Sequence, residues 1–275
     1  MNAHSLIDSH CHPPAAAAAE WIARAREAGV GELIAVGTES SDWSRHAATA
    51  AAHPGTVHWT AGLHPCHVAG DAGEQLAALE HCLAAAGAPP PCALGEIGLD
   101  FTRLPKEGRG EIVALQREAF VRQLRLAREL DLPVVVHSRG TVAECLAVIR
   151  ESGFPGERAL FHCFAEGPAS LEAVRAAGAR CSFTGIVTFR NAAEVREALR
   201  ISGPGSLILE TDSPYLSPEP HRGKPNEPAR LADIAAFCAR FFEIDPAELA
   251  RTTAANTRAF FRLDAPGAGG VKPSP

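Results

Sequence analysis

A chain of 275 residues with 46% hydrophobic and 21% charged residues has the composition of a folded protein, which excludes an intrinsically disordered one. Its formal net charge of −6 argues against a protein that binds long stretches of nucleic-acid backbone, since such proteins usually carry a basic balance. The 12 histidines stand out, because imidazole binds metal ions and transfers protons near neutral pH.

Short apolar, β-branched segments alternate with longer amphipathic segments along the chain. The predicted strands are Ser5–His10, Glu32–Gly37, Val57–Leu63, Cys92–Ile97, Val134–His137, Ala159–His162, Arg180–Thr184 and Ser206–Thr211. The helices predicted between them are Ala15–Ala28, Ser40–Ala52, Gly73–Ala86, Gly110–Leu130, Val142–Glu151, Pro168–Ala177 and Asn191–Ile201. After the eighth strand, further helices are predicted at Pro228–Phe242, Pro246–Thr252 and Ala255–Phe261.

Eight strands alternating with helices predict an α/β protein with a single (β/α)8 TIM barrel. A doubly wound open sheet is the rival architecture, but it should carry a glycine-rich phosphate-binding turn after an early strand, and the sequence has none. We expect one domain over residues 1–264, followed by a flexible tail rich in Gly and Pro over residues 265–275.

The sequence also favours a particular cellular setting. No apolar run approaches the ~18 residues that a membrane span needs, and the first residues lack the pattern of an export signal. The eight cysteines include no C-x-x-C pair, and most lie in apolar segments, so we interpret them as reduced thiols. These features predict a cytoplasmic protein that neither spans nor binds a membrane.

Side chains that bind metal ions follow or end the predicted strands. In a TIM barrel the carboxyl ends of the strands face the active site. The first strand leads into His10 and His12, which project to the same side because successive side chains in a strand alternate. The other strands of this kind lead into His64, Glu96, His137-Ser138-Arg139, His162, and Glu210-Thr211-Asp212. We therefore expect a metal site at the carboxyl ends of the strands.

Four histidines and two carboxylates in this set are enough for two divalent ions. The predicted ligands are His10, His12, Glu96, His137, His162 and Asp212. A bridging carboxylate would bring two ions within the ~3.5–4 Å that is typical of two-metal hydrolases. Mixed imidazole and carboxylate ligands suit Zn²⁺, Mn²⁺, Fe²⁺ or Ni²⁺, whereas Mg²⁺ prefers oxygen ligands alone. The expected cofactor is therefore a pair of divalent ions, with Mg²⁺, Mn²⁺ and Zn²⁺ left open.

Nine motifs in order give the chain a specific resemblance. They are DSHCH (Asp8–His12), GLHP (Gly62–Pro65), GEIGLDF (Gly95–Phe101), LPVVVHSR (Leu132–Arg139), FHCF (Phe161–Phe164), GIVTFRNA (Gly185–Ala192), ETDSPYLSP (Glu210–Pro218), RGKPNEP (Arg222–Pro228) and NTRAFF (Asn256–Phe261). In these motifs the chain resembles the TatD family of metal-dependent hydrolases. The resemblance extends over roughly Ser5 to Leu263.

The resemblance implies a division of labour among the ligands. His10 and His12 would hold a first ion, and Glu96 would bridge to a second ion held by His137 and His162. Asp212 would lie at the first ion and orient or deprotonate the attacking water, so Asp212 and Glu96 are the expected catalytic residues. The family hydrolyses phosphodiesters, notably as a 3′–5′ deoxyribonuclease on single-stranded DNA, and a related branch removes D-amino acids from tRNA.

Further residues are expected around the ligands. Glu210 lies on the same strand face as Asp212 and could support a ligand from behind. His64, Arg139 and Arg222 are expected to contact phosphate oxygens, since Arg suits bidentate binding. The family pattern is broken at Cys66, where a histidine is common, at Gly140, where an acidic residue is common, and at Ala165-Glu166, where Ser-Gly is common. These departures bear on substrate preference rather than on metal binding.

The leading hypothesis is a metal-dependent deoxyribonuclease that acts on DNA ends or short single strands as a monomer, with no obligate protein partner. One alternative keeps the metal site but hydrolyses D-aminoacyl-tRNA, or another small ester or amide. A third hypothesis is a barrel that has kept the fold as a binding module without activity. Such a chain should have lost a ligand or the base, and none of the six is missing here.

Overall fold

Eight parallel strands, hydrogen-bonded in sequence order, form the centre of the molecule in a computed structural model that describes residues 6–68, 70–85, 87 and 89–263. The strands are β1 (Leu6–Cys11), β2 (Val30–Val36), β3 (Val57–Ala61), β4 (Ala93–Asp100), β5 (Val134–Arg139), β6 (Ala159–Phe161), β7 (Arg180–Phe183) and β8 (Ile208–Leu209). A barrel of eight parallel strands with helices between them is the (β/α)8 fold, so the predicted fold class is confirmed.

The helices alternate with the strands on the outside of this barrel. They are α1 (Ala18–Glu27), α2 (Ser40–Ala52), α3 (Ala72–Ala84), α4 (Arg109–Glu129), α5 (Val142–Ser152), α6 (Pro168–Ala176), α7 (Ala193–Ser202), α8 (Leu231–Phe242) and α9 (Pro246–Phe261). Short 3₁₀ turns occur at Pro65–His67, Gly156–Arg158, Gly185–Thr188, Pro204–Ser206 and Pro228–Arg230. No helix in these described parts of the chain is long and apolar enough to cross a membrane.

Many of the sequence-based boundaries differ from the observed ones by a few residues, and two of the differences matter for the fold and the site. The segments expected as separate helices, Pro246–Thr252 and Ala255–Phe261, form the single helix α9, because nothing between them interrupts the hydrogen-bonded turns. That helix begins at Asp245, whose carboxylate accepts the backbone N–H groups of Ala247 and Glu248. The eighth strand is only Ile208–Leu209 rather than Ser206–Thr211, so Glu210 and Asp212 lie beyond its end.

The barrel interior is a small apolar cluster of strand residues. Ile34, Val36, Val135, Leu160 and Ile208 are buried there, and α9 packs Phe260 and Phe261 against the cluster. Since side chains alternate along a strand, residues two positions beyond these also face inward. His137 follows Val135 by two, His162 follows Leu160 by two, and Glu210 follows Ile208 by two. The inward face of the barrel thus changes from aliphatic to ionisable residues at the carboxyl ends of the strands.

The barrel closes between its first and last strands through a closing seam, formed by residues 8–12 and 211–213. A single bridge pairs Cys11 with Ser213. His12 N–H donates to the Ser213 carbonyl oxygen (2.8 Å), and Asp212 N–H donates to the His10 carbonyl oxygen (2.9 Å). The buried Asp8 carboxylate accepts both the N–H (2.9 Å) and the hydroxyl (2.6 Å) of Thr211. A side chain therefore takes the place of ladder hydrogen bonds that a longer β8 would make.

The C-terminal tail and the state of the cysteines were also predicted from the sequence. The tail predicted for residues 265–275 lies outside the described residues, so that boundary stays a prediction. All eight cysteines are free thiols. Burial raises the pKa of the Cys92, Cys145 and Cys238 thiols to about 12, so these three remain protonated and pack as small apolar side chains.

Candidate metal centre

The six residues expected as metal ligands converge at the carboxyl end of the barrel. His10 lies in β1 with His12 just beyond it, Glu96 lies in β4, His137 in β5, His162 directly after β6, and Asp212 three residues after β8. Their ligand atoms form overlapping groups, each within 4.8 Å: His10, His12 and Asp212 in one, His10, Glu96 and His162 in another, and Glu96 and His137, together with His64, in a third. The structure thus brings together all six.

The backbone at β4 and β5 allows this convergence. Gly98 has a φ of +137°, a conformation that side chains rarely adopt, and a Cβ atom there would lie 2.1 Å from the His137 carbonyl oxygen. Gly98 and His137 are register partners in the β4–β5 pairing. Only glycine therefore allows the two strands to approach closely enough for Glu96 and His137 to meet.

The first group lies at the closing seam. His10 Nε2 and His12 Nε2 are 3.1 Å apart. Asp212 Oδ1 lies 3.8 Å from His10 Nε2 and 3.5 Å from His12 Nε2. Two imidazole nitrogens and one carboxylate oxygen thus face a common point, as one divalent ion would require.

The second group is built around Glu96, which is 3% exposed. Its Oε1 lies 2.6 Å from His137 Nδ1 and 2.7 Å from His162 Nε2. Its Oε2 faces the other way, 3.4 Å from His10 Nε2. Burial raises the pKa of Glu96, but the neighbouring histidines, His162 first, hold it well below its usual range. Glu96 is therefore a carboxylate with one oxygen in each group, the arrangement of a bridging ligand.

Two of these histidines have a hydrogen-bond acceptor at the nitrogen that points away from the cluster, and a third has a carboxylate oxygen at ion-pair distance from it. His12 Nδ1 lies 3.0 Å from the Val36 carbonyl oxygen, and His137 Nε2 lies 3.2 Å from Asp100 Oδ2. His162 Nδ1 lies 3.5 Å from Glu210 Oε1. An acceptor there keeps the proton on the outer nitrogen, so the inner nitrogen presents its lone pair to the cluster. This tautomer is the one a metal ligand needs.

His64 lies in the same cluster, but its inner ring nitrogen is a hydrogen-bond donor rather than an acceptor. Its Nε2 lies 3.2 Å from both Glu96 Oε1 and His137 Nδ1, which forms a third potential ligand group. However, its Nδ1 accepts the backbone N–H of Cys66 (3.0 Å), so the proton of a neutral ring resides on Nε2. Burial lowers the pKa of His64, which favours the neutral ring. His64 therefore presents an N–H donor, rather than a lone pair, to the cluster.

The charges and the ligand atoms of this cluster decide whether it suits a metal ion. Glu96, Asp212 and Glu210 bring three carboxylates into a largely buried space, and a buried charge is costly unless an opposite charge compensates it. The inner ring nitrogens of His12, His137 and His162 face the same space as these carboxylates. Imidazole and carboxylate together are ligands for first-row divalent ions. The residues present therefore fit divalent metal ions.

Glu210, predicted from the sequence to support a ligand, lies beside the cluster. It is fully buried. Its Oε2 accepts the Ser182 hydroxyl (2.6 Å), and its Oε1 accepts the Cys163 N–H (2.5 Å) as well as facing His162. The hydrogen bonds from Ser182 and Cys163 fix the carboxylate, which lies 3.5 Å from His162 Nδ1.

The two arginines expected at phosphate lie on the exposed rim. Arg139 ends β5 and is exposed. Arg222 is also exposed, and its guanidinium lies over the Phe189 ring at 3.7 Å from the centroid. Its Nη1 is 3.4 Å from the Ser217 carbonyl oxygen. Neither arginine contacts the ligand cluster in the described part of the chain, so phosphate contact stays a prediction for both.

Two supporting carboxylates were not predicted from the sequence. Asp100 holds His137 and itself accepts the N–H (2.7 Å) and hydroxyl (2.6 Å) of Thr102. Asp8 fastens Thr211 next to Asp212, and burial raises its pKa to about 7. Both residues belong to motifs, DSHCH and GEIGLDF, but the motif letters do not say which side chain each would contact. Cys66 stands where a histidine is common in the family pattern, and its Sγ lies 3.6 Å from Asp100 Oδ2.

Comparison with known proteins gives one consistent result. The family model described as TatD related DNase matches residues 7–262. The chain is 41% identical over 173 residues to the uncharacterized metal-dependent hydrolase YcfH of Escherichia coli strain K12, but the match spans only 63% of each protein. It is 36% identical over 251 residues to the 3′-5′ ssDNA/RNA exonuclease TatD of Erwinia billingiae, covering 89% of this chain and 92% of that protein. The crystal structure of YJJV, a TatD homologue from Escherichia coli K12, superimposes with a TM-score of 0.85 at 28% identity, covering 96% of this chain and all of that one.

Proposed function

Because the chain belongs to the TatD-related DNase family, we propose that it is a divalent-metal-dependent hydrolase that cleaves phosphodiester bonds in DNA from the 3′ end. The observation that carries this proposal is Glu96, whose two oxygens face two groups of imidazole nitrogens. A carboxylate shared in this way is suited to hold two ions side by side, which is the arrangement used to hydrolyse phosphodiesters.

The ligands divide between two ions. His10, His12 and Asp212 would hold the first, His137 and His162 the second, and Glu96 both. When bound, the ions make the attacking water more acidic and neutralise charge that builds on the phosphate. Mg²⁺, Mn²⁺ and Zn²⁺ are the candidates. Asp100 and Glu210 keep the rings of His137 and His162 in the tautomer and orientation that ligation needs.

Asp212 is the proposed general base. Its side chain is 14% exposed, whereas that of Glu96 is 4% exposed, so substrate and water reach Asp212 more readily. Its backbone is held by the closing seam, since Asp212 N–H donates to the His10 carbonyl oxygen. A carboxylate fixed in this position can accept the proton of the attacking water as the bond to phosphorus forms.

Substrate contacts are proposed at three residues. The inward Nε2–H of His64 can donate to a phosphate oxygen at the cluster, and Arg139 and Arg222 can reach the flanking phosphates from the rim. A net charge of −6 is compatible with this engagement, because one or two phosphates are held locally rather than a long stretch of backbone. We further propose that the protein acts as a cytoplasmic monomer.

The test is a panel of labelled substrates. Single-stranded DNA labelled at either end, RNA and D-aminoacyl-tRNA are each incubated with Mg²⁺, Mn²⁺ or Zn²⁺. We expect nucleotides to be released from the 3′ end of DNA, and Asp212→Asn to lower kcat by about 10²–10⁴-fold. Glu219→Gln, an exposed change in the same loop, serves as the matched control.

Two outcomes would count against the proposal. Metal-loaded wild-type protein that releases no nucleotide with any ion would exclude the nuclease. Deacylation of D-aminoacyl-tRNA that is lost in Asp212→Asn, without nuclease activity, would instead show the same site acting on an ester.

A further inference from the structure

Tyr215 is the only tyrosine of the chain and follows Asp212 by three residues. Within the described ranges it is the one large hydrophobic side chain that is exposed, with 63% of its surface accessible. The other large apolar side chains there are buried or partly buried in the core. A single exposed apolar residue needs no explanation by itself, so its surroundings decide whether it has a role.

The backbone beneath Tyr215 is firmly held. Tyr215 N–H donates to the Asp212 carbonyl oxygen (2.9 Å). The buried Asn226 donates through Nδ2 to the carbonyl oxygens of Tyr215 (2.6 Å) and Thr211 (2.9 Å). Asn226 N–H also donates to the Pro214 carbonyl oxygen (3.0 Å). The exposed ring is therefore carried by a fixed backbone, so a ligand that binds it need not first order a loop.

The ring lies at the mouth of the candidate metal centre. Its centroid is 6.4 Å from that of His12, at an angle of 65° between the planes. On the same loop, Arg222 stacks over Phe189 and approaches the Ser217 carbonyl oxygen, two residues beyond Tyr215. The loop after β8 thus carries an exposed flat ring beside His12 and, seven residues later, an arginine.

We propose that Tyr215 is the stacking platform for the base of the nucleotide whose phosphate lies at the candidate metal centre. This inference rests on the proposed function and adds the part of the substrate that is recognised. In a nucleotide one sugar separates the base from the phosphate, so a phosphate beside His12 brings its own base toward the neighbouring ring. Stacking accepts any base, since every base has a π face. It also supplies affinity that an acidic protein cannot obtain from a basic surface.

If Tyr215 only covers His12, a different dependence on the substrate is expected. A ring that only shields His12 from solvent would affect all phosphodiesters equally, whether or not a base is attached. Base stacking affects only substrates that carry the base. The comparison of a base-bearing with a base-free substrate therefore distinguishes the two roles.

The experiment uses two single-stranded DNA oligonucleotides, identical except that the 3′-terminal nucleotide of one is an abasic tetrahydrofuran analogue. The measured quantity is the ratio of kcat/KM for the two. We expect Tyr215→Ala to lower the preference for the base-bearing strand about tenfold or more. Tyr215→Phe should restore most of this preference, whereas Tyr215→Leu, apolar but not flat, should restore little. Glu219→Gln in the same loop is the control.

A preference that is unchanged in Tyr215→Ala would overturn the inference, as would equal losses on both substrates. A binding measurement keeps this result separate from failure of the proposed nuclease. Calorimetric titration of the metal-loaded protein compares thymidine 5′-monophosphate with 2-deoxyribose 5-phosphate. A preference for the nucleotide that Tyr215→Ala removes supports the platform even if no strand is cleaved. Equal affinities in the wild type overturn it even if strands are cleaved.

Discussion

At the scale of single residues, the partner of the outer ring nitrogen distinguishes the candidate ligands His12 and His137 from His64. The sequence predicts that five histidines reach the carboxyl ends of strands, but it cannot assign their tautomers. Those depend on partners elsewhere in the chain: the Val36 carbonyl oxygen for His12, and Asp100 for His137. At His64 the partner is an N–H of Cys66, which reverses the role of the ring. The tautomer of each histidine can therefore be inferred from the structure but not from the sequence motifs.

A first prediction follows for His64. His64→Ala should leave the metal stoichiometry as in the wild type and lower kcat by about 10²-fold, the usual effect of removing one hydrogen-bond donor from a transition state. His137→Ala, in the same cluster, should lose one bound ion. Elemental analysis of the purified variants measures the stoichiometry. Loss of an ion in His64→Ala would show that His64 is a ligand after all.

A second prediction concerns Asp100. Asp100 accepts hydrogen bonds from Thr102 through Oδ1 and from His137 through Oδ2. Asn has one acceptor oxygen, so in Asp100→Asn a donor faces either Thr102 or His137 Nε2. A donor at Nε2 would place the His137 proton on Nδ1, toward Glu96. We expect metal affinity about 10–100-fold lower, measured by calorimetric titration.

A change at the other partner of Asp100 provides the control for Asp100→Asn. Thr102→Val removes one hydroxyl donor from Asp100 but leaves the acceptor facing His137 intact. It should therefore change metal affinity much less than Asp100→Asn. Similar losses in both variants would mean that Asp100 acts through the loop and not through the histidine.

At the scale of elements, periodicity and turn residues were sufficient to predict the eight strands and most of the helices. They did not predict the length of β8 or the continuity of α9. The reason at β8 is that the residues after Leu209 pair through side chains: the Asp8 carboxylate receives the Thr211 N–H and hydroxyl. Nothing in the local pattern of Glu210-Thr211-Asp212 signals a partner about 200 residues earlier.

A third prediction tests this seam. Thr211→Val keeps the shape of the side chain but removes a donor from the buried Asp8 carboxylate. We expect the free energy of unfolding to fall by about 1–3 kcal/mol, measured by urea denaturation at pH 7. We also expect kcat to fall, because Asp212 is adjacent.

The matched change is Thr253→Val in α9. Thr253 is equally buried, but its hydroxyl donates to the Leu249 carbonyl oxygen rather than to a buried carboxylate. Its loss should cost less than about 1 kcal/mol. If the two variants were equally stable and equally active, the Asp8–Thr211 contact would contribute nothing particular to the seam.

At the scale of the whole molecule, the fold and the candidate site share the same strands, since the inward face of the barrel carries an apolar cluster and, at its carboxyl end, the candidate ligands. The sequence predicts this arrangement because a (β/α)8 barrel always brings strand ends together. It could not predict Asp8 and Asp100 as supports, which depends on which side chains meet across strands. Three of the acidic residues, Glu96, Glu210 and Asp212, lie beside the histidines of this cluster.

A fourth prediction is that divalent ions stabilise the folded chain. Ions that bind the native cluster and not the unfolded chain raise the free energy of unfolding by about 2.7 kcal/mol at a free concentration of 100 times Kd. Thermal denaturation with Mn²⁺ or Zn²⁺, and again with excess chelator, measures the difference. In His10→Gln the difference should shrink. An unchanged Tm despite calorimetrically detected binding would place the bound ions outside the folded cluster.

The closing seam has a consequence for the order in which the protein is made. His10 and His12 are synthesised well before Asp212, which follows His12 by 200 residues. A nascent chain that ends before Asp212 already contains five of the six candidate ligands but lacks the residue that meets His10 and His12 across the seam. In the enzyme that we propose, the first ion therefore acquires its full set of ligands only after the segment that follows β8 has been synthesised.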